Sequence, residues 1–249
     1  MGFWSSIKKA VKKIVKAIKA VVRAVVRIVV IVLTAVFKVW DLVFGWLGWP
    51  PKKLKLHIAV LRGPNGDLLK DLNELWPSIE LLKTTFKDRC NVDVLPYSSG
   101  NERAIDNWAQ VVNDIAPTSA LKVRCDLGAL WDEGGEAGDF FARHTAGWVG
   151  GFFPISLAFP VTVFIVEEVS EASGCAVPVL TDYATVAASA LTNKGGSTLA
   201  HEVGHRCNLW HVQQKENLLN TNRVPLPPYW LTWWQRNFIR ASRHVTYLF

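Results

Sequence analysis

Acidic residues are almost absent from the first 55 positions of this 249-residue chain, where Asp41 is the single acid against 12 Lys and Arg. That segment carries a net charge of +11, whereas residues 56–249 carry 16 Lys and Arg against 20 Asp and Glu, a net of −4. The main part of the chain is therefore mildly acidic. This division argues against a nucleic-acid partner for the main part and directs the positive charge of the first segment elsewhere.

The first segment also lacks a long uncharged run. Its helical pattern is uninterrupted by charge only over Ile28–Phe37, which is shorter than the roughly 20 residues that a bilayer-spanning helix needs. The charges continue far into the segment, and no small-residue cleavage site follows an apolar core. A cleavable signal peptide is therefore not expected.

What the first segment does have is a regular basic stripe with apolar residues between its members. This spacing predicts a long amphipathic helix over residues 1–50, followed by a linker at 51–53. Trp residues near both ends favour a helix that lies on a membrane surface. Two alternatives are a helix that spans the membrane and a helix whose apolar face docks on the main domain. The expected location is membrane-associated or exported. The basic stripe consists of Lys8, Lys12, Lys16, Lys19, Arg23 and Arg27.

Cysteine is scarce, with four residues and no CxxC pair. An even number permits two disulfides in an exported protein, and it equally suits four reduced thiols in a cytosol. Cys175 with Cys207, and Cys90 with Cys125, are the candidate pairs. The count does not decide between pairing and reduction.

The composition of the whole chain, 50% hydrophobic and 20% charged, excludes a disordered protein. Strand and helix patterns alternate after residue 54, which predicts an α/β fold around one mainly parallel sheet. The Gly-rich stretch at 132–138 favours a flexible loop over a calcium-binding one. The predicted strands are 54–61, 92–97, 120–126 and 160–166, and the predicted helices are 67–87, with a break at Trp76-Pro77, and 102–115.

The chemistry is concentrated in Ser197–His211. His201 and His205 stand four residues apart, so on a helix both imidazoles project from one face and can reach one zinc ion. Glu202 lies beside the first of them, where it can act as the general base that takes a proton from the attacking water. This part of the motif predicts two metal ligands and one catalytic residue.

A third ligand requires a sharp turn after the helix, because a straight helix would carry later residues away from the metal. His211 can supply that ligand if the chain reverses near Asn208, a residue type that tolerates the left-handed conformation. Three histidines leave the fourth position of a tetrahedral zinc open, which is the arrangement of a catalytic site. His57, His144 and His244 have no partner at ligand spacing.

The run HEVGHRCNLWH resembles the HExxHxxGxxH signature of the metzincin zinc peptidases, with Asn208 in the place of the family's Gly. Downstream, the stretch 216–220 resembles the family's Met-turn, the apolar floor beneath the zinc, with Leu219 where methionine is expected. Thr221 stands where some members have a zinc-binding Tyr, so that role is not carried over. The resemblance covers about residues 155–243, extends back to about residue 54 at its widest, and excludes residues 1–50.

The resemblance implies an α/β zincin domain over residues 54–249. It would contain a mixed, twisted five-stranded sheet, an active-site helix at 197–207 and a C-terminal helix that opens with a capping-box pattern at Thr232 and Gln235. It also implies a zinc-dependent endopeptidase acting on peptide or protein substrates. The zinc would lie on His201, His205 and His211, and Glu202 would be the base.

A second hypothesis comes from a different class. In this hypothesis the protein is membrane-active: its cationic helix perturbs bilayers, while the zinc domain serves for targeting or docking and does not cleave. No cysteine-switch motif is present, so any latency would have to come from the N-terminal helix.

Overall fold

The structure is a computed structural model of the 249-residue chain. It describes residues 3–37, 50–126, 135–146, 148–149, 153–154, 160–170, 172–176, 181–191, 196–222 and 228–247.

Within the first segment the structure describes a single helix, α1 (Phe3–Phe37), whose sequence contains neither Gly nor Pro to interrupt it. The helix prediction is confirmed over this range, whereas positions 38–49, with Trp40, Trp46 and Trp49, lie outside the described residues. No helix among the described residues is long and apolar enough to cross a membrane. Among the α1 side chains that the structure describes, ten aliphatic ones are exposed: Val11, Ile14, Val15, Ile18, Val21, Val22, Val25, Ile28, Val29 and Val32.

Basic residues of α1 contact the main domain. Lys19 Nζ lies 2.9 Å from a carboxylate oxygen of Asp139, and Arg23 Nη2 lies 2.5 Å from the other. Arg23 is buried. Burial raises the pKa of Asp139, but its hydrogen bonds to Lys19 and Arg23 outweigh that effect and hold the pKa below its ordinary value. The contact therefore uses the basic stripe rather than the ten exposed aliphatic residues.

The remaining elements follow in chain order. The helices are α2 (Trp76–Cys90), α3 (Thr118–Leu121), α4 (Glu136–His144), α5 (Ser197–Arg206) and α6 (Trp233–Ala241), and short 3-10 turns lie at Leu72–Leu75, Ile105–Asn107 and Ala188–Leu191. The strands are β1 (Lys52–Val60), β2 (Val92–Pro96), β3 (Ala109–Val111), β4 (Lys122–Val123), β5 (Trp148–Val149), β6 (Phe153–Pro154), β7 (Val161–Val166), β8 (Glu168–Val169), β9 (Gly174–Cys175), β10 (Tyr183–Ala187) and β11 (Val245–Thr246).

The main sheet is built around β1. Leu56 pairs with Pro96 of β2 and with Val161 of β7, so these strands flank opposite edges of β1. The short β3 pairs with the same edge of β1 as β2 does, and β11 pairs with the same edge of β1 as β7 does. Beyond β7 come β10, which is parallel, and β9, which is antiparallel. The predicted mixed sheet is confirmed, but it has seven strands rather than five, because two of its five positions are each shared by two strands.

Apolar side chains alternate between the two faces of the sheet, as the strand period requires. On one face, Leu56 and Ile58 belong to a core with residues of α2, α5 and α6. On the other, Ala59 and Phe164 belong to a core with residues of α4. The helix that carries the motif therefore lies on the first face, and α1 is attached through α4 on the second.

Three predictions for local structure are wrong. Residues 102–115 contain a 3-10 turn and β3 instead of a helix, because Trp108 is fully buried and the next residues pair with β1. The range 120–126 is mostly not strand, since only Lys122–Val123 pair, with β8. Within the Gly-rich stretch, residues 136–138 form the first turn of α4 rather than a flexible loop, and residues 132–134 lie outside the described part of the chain.

The one disulfide among the described residues joins Cys125 to Cys175. Both candidate pairings are wrong. Cys175 belongs to the core on one face of the sheet, whereas Cys90 and Cys207 belong to the core on the other. Cys90 and Cys207 are buried outside the disulfide. Burial raises the pKa of the Cys90 thiol far above its ordinary value, so this thiol stays protonated.

Candidate metal centre and its cleft

The helix α5 begins at a glycine that no other residue can replace without strain. Gly196, its N-cap, has φ +51°, and a Cβ atom added there would lie 2.8 Å from the Ser78 hydroxyl of α2. This close approach packs α5 tightly against α2, and every residue of α5 is buried. The helix prediction at 197–207 is confirmed for Ser197–Arg206. The helix brings the Nε2 atoms of His201 and His205 to 3.0 Å from each other.

The chain reverses directly after α5, as predicted. Asn208 has φ +66°, in the left-handed region, and Leu209 N donates back to the carbonyl of Gly204 at 3.2 Å. The reversal returns His211 to the helix, where its Nε2 lies 3.2 Å from that of His201 and 3.1 Å from that of His205. These three histidines form the group of possible metal ligands found among the described residues.

Backbone carbonyls fix the orientation of two of these rings. His201 Nδ1 lies 2.7 Å from the carbonyl of Leu218, and His205 Nδ1 lies 2.7 Å from that of Leu209. A carbonyl only accepts, so each Nδ1 must carry the proton, and the neutral ring then presents a lone pair on Nε2. Lone pairs converging at this distance repel one another unless a cation or a proton lies between them.

The spacing fits the metal that the resemblance implies. A tetrahedral zinc with Zn–N bonds of ~2.1 Å separates its nitrogen ligands by about 3.4 Å, and the three observed separations are only slightly smaller. The chemistry of the donor set, three imidazoles of which two are oriented through their second nitrogens, also suits zinc. The cluster is therefore a candidate metal centre, and the residues present fit zinc.

Two buried leucines lie close to α5. Leu219 is fully buried, and its side chain would be 3.2 Å from a Cβ atom added at Gly204 of α5. Leu218, whose carbonyl faces His201, is also fully buried. Leu219 is the residue that stands where the resemblance implies methionine.

Glu202 is buried and lines the same cleft as the three histidines. Its side chain packs against Gly174 of β9, where an added Cβ would lie 2.7 Å from both Cγ and Oε1 of Glu202. Only glycine fits at this position without moving the carboxylate. The role of Gly174 was not predicted, because the contact joins residues 28 positions apart that no local spacing connects.

The cleft has a volume of about 720 Å³. The Cys125–Cys175 disulfide and Trp210 line this cleft, and the Trp210 side chain is 70% exposed. The other histidines lie elsewhere. His57 is buried on β1, where burial and, to a lesser extent, the nearby His144 lower its pKa to about 4.

Comparisons with known proteins find similarity among solved structures. No protein-family model matches the sequence, and no curated protein matches it. Among solved structures, the chain is similar to metalloproteinase-II from Bacteroides fragilis, at 13% sequence identity and a TM-score of 0.42. The match covers 70% of this chain and 49% of that protein, so it spans about half of the length of that metalloproteinase.

Proposed function

We propose that this protein is a zinc-dependent endopeptidase of the metzincin type. The observation that carries the proposal is the convergence of three histidine Nε2 atoms within 3.2 Å, beside the buried Glu202 and in an open cleft. Three protein ligands leave one position of a tetrahedral site open, as catalytic zinc sites require.

In this proposal, the three histidines bind the metal and Glu202 transfers the proton. His201, His205 and His211 would hold the zinc, which when bound makes water acidic near neutral pH and polarises the peptide carbonyl. Glu202 accepts a proton from the attacking water and then delivers it to the leaving amine. Its burial and its contact with Gly174 keep the carboxylate in one position.

The substrate would bind along the edge of the sheet. Among the described strands, β9 pairs only with β10, and its two residues line the cleft. An extended peptide can add to such an edge through backbone hydrogen bonds. This places the scissile bond near the histidine cluster without any need for one particular side chain.

The proposal is tested by the metal dependence of cleavage. Purified full-length protein is incubated with an unstructured protein before chelation, after chelation and after one equivalent of zinc is restored. We expect cleavage to disappear with the metal and to return with zinc. Cleavage that persists in the chelated sample, or a folded, zinc-loaded chain that cleaves nothing, would contradict the proposal.

We further propose that α1 attaches the protein to an anionic membrane surface. Its basic stripe holds Asp139 through Lys19 and Arg23, which leaves ten aliphatic side chains exposed. The exposed Lys8, Lys9 and Lys12 would lie near lipid headgroups while the aliphatic side chains enter the interface. In the alternative hypothesis, the same helix perturbs bilayers, and the metal domain serves only to direct or dock the protein and does not cleave.

Vesicle binding tests this attachment. Replacing Ile18 and Val25, which are 56% and 52% exposed, with Asp should weaken binding of the full chain to phosphatidylserine vesicles about a hundredfold. The reason is that their burial in lipid contributes roughly 3 kcal/mol. Ile115→Asp, at a residue that is 92% exposed outside α1, is the matched control. Equal binding by all variants would contradict attachment through α1, and dye release from the vesicles would favour the membrane-active alternative.

A further inference from the structure

We infer that Asn217 and Gln235 are positioning residues for the metal centre, acting through the turn at 217–220. This inference rests on the metal site proposed above. The sequence assigns Gln235 one role, in the capping box that begins α6, and the structure contains that capping box. The structure assigns to the same side chain a second set of bonds that leads to the histidines.

Asn217 and Gln235 form a reciprocal amide pair. Asn217 Nδ2 donates to Gln235 Oε1 at 2.8 Å, and Gln235 Nε2 donates to Asn217 Oδ1 at 3.2 Å. Asn217 is fully buried and Gln235 is 6% exposed, so water does not replace these bonds. A two-bond amide pair fixes both the distance and the relative orientation of the two side chains, which an apolar contact would not.

The pair shapes the turn that faces His201. Asn217 Oδ1 also accepts from Leu219 N at 2.9 Å, which closes the turn around Leu218. The carbonyl of Leu218 is the acceptor for His201 Nδ1, at 2.7 Å. Rotation of Asn217 would therefore move the group that sets the ring orientation and the tautomer of His201.

The same turn also holds the segment that carries His211. Val212 N donates to the carbonyl of Leu219 at 3.3 Å, and Asn220 Nδ2 donates to the carbonyl of Val212 at 2.9 Å. Val212 directly follows His211 in the chain. One turn thus supports two of the three ligands, whereas His205 is supported from its own helix end through Leu209.

Gln235 anchors this turn to α6. Its Oε1 also accepts from Thr232 N at 2.8 Å, while its backbone N donates to Thr232 Oγ1 at 3.2 Å. Two neighbouring substitutions can separate the two roles. Gln235→Glu keeps an acceptor for Thr232 N and for Asn217 Nδ2 but places a carboxylate oxygen against Asn217 Oδ1. Thr232→Ala removes half of the cap and leaves the amide pair in place.

The test compares the zinc affinity of the two full-length variants, measured by competition with a chromophoric chelator, and the visible spectrum of bound Co²⁺. We expect Gln235→Glu to lower zinc affinity ten- to a hundredfold and to shift the Co²⁺ bands. Thr232→Ala should lower the melting temperature while its zinc affinity stays within about twofold of wild type. If Gln235→Glu does not fold, Asn217→Asp carries the same expectation, because it keeps both acceptor roles of Oδ1 and loses the donor.

Wild-type affinity and spectrum in a folded Gln235→Glu or Asn217→Asp variant would overturn the positioning role while leaving the metal site intact. An equal loss of affinity in Thr232→Ala would overturn it as well, since the effect would then follow helix stability. A folded wild-type chain that binds no zinc would overturn the metal site itself, and the inference with it.

Discussion

Replacement of Glu202 by Gln is expected to lower the rate of peptide hydrolysis about a thousandfold while the metal stays bound. The amide has nearly the same size and shape as the carboxylate but cannot accept a proton from water, and general base catalysis contributes roughly 10²- to 10⁴-fold. The measurement is the initial rate of cleavage of an unstructured protein, with the metal content of each sample determined in parallel. A folded, metal-loaded Glu202→Gln variant with the wild-type rate would exclude Glu202 as the base.

Gly174 offers an independent way to disturb the same carboxylate. Gly174→Ala places a methyl group 2.7 Å from the present position of Glu202 Oε1, so the glutamate side chain must move. Hydrolysis should fall while zinc binding is retained. Gly63→Ala is the matched control, because a Cβ atom there meets only ordinary contacts, at 3.5 Å and beyond. Equal activity of both alanine variants would mean that the position of Glu202 does not matter for the reaction.

Loss of a single histidine should nearly abolish metal binding. Structural zinc sites in small domains, which have four protein ligands, are worth roughly 10–16 kcal/mol at pH 7, so each ligand accounts for about 3 kcal/mol, or about a hundred- to a thousandfold in affinity. We therefore expect His205→Ala to release zinc to a chelator that the wild-type chain resists. His144→Ala is the control, because His144 interacts with Phe140 and Asp114 outside the cluster. Zinc retained by His205→Ala at wild-type affinity would place the metal elsewhere.

The convergence of the three histidines could be predicted because the residues that decide it are close together in the sequence. The four-residue spacing of His201 and His205 fixes their common face, and Asn208 marks the reversal that returns His211. The capping box at Thr232 and the buried strand β7 are local in the same sense, and both are confirmed. In each case, the residues that decide the structure lie within a few positions of one another.

The features that could not be predicted depend on contacts between distant segments. The Cys125–Cys175 pair depends on which face of the sheet each cysteine occupies, which the sequence does not reveal. Residues 109–111 form a strand because an edge of β1 is available to them, although their own pattern favours a helix. The contact of Gly174 with Glu202 likewise exists only once β9 lies beside α5.

X-ray absorption at the zinc edge, on the full-length protein loaded with one equivalent of zinc, measures directly whether His201, His205 and His211 hold one zinc ion with a position left open for catalysis. We expect three imidazole nitrogens at ~2.0–2.1 Å together with oxygen from solvent, and no sulfur. Sulfur at ~2.3 Å, fewer than three imidazoles, or no tightly bound zinc would contradict it.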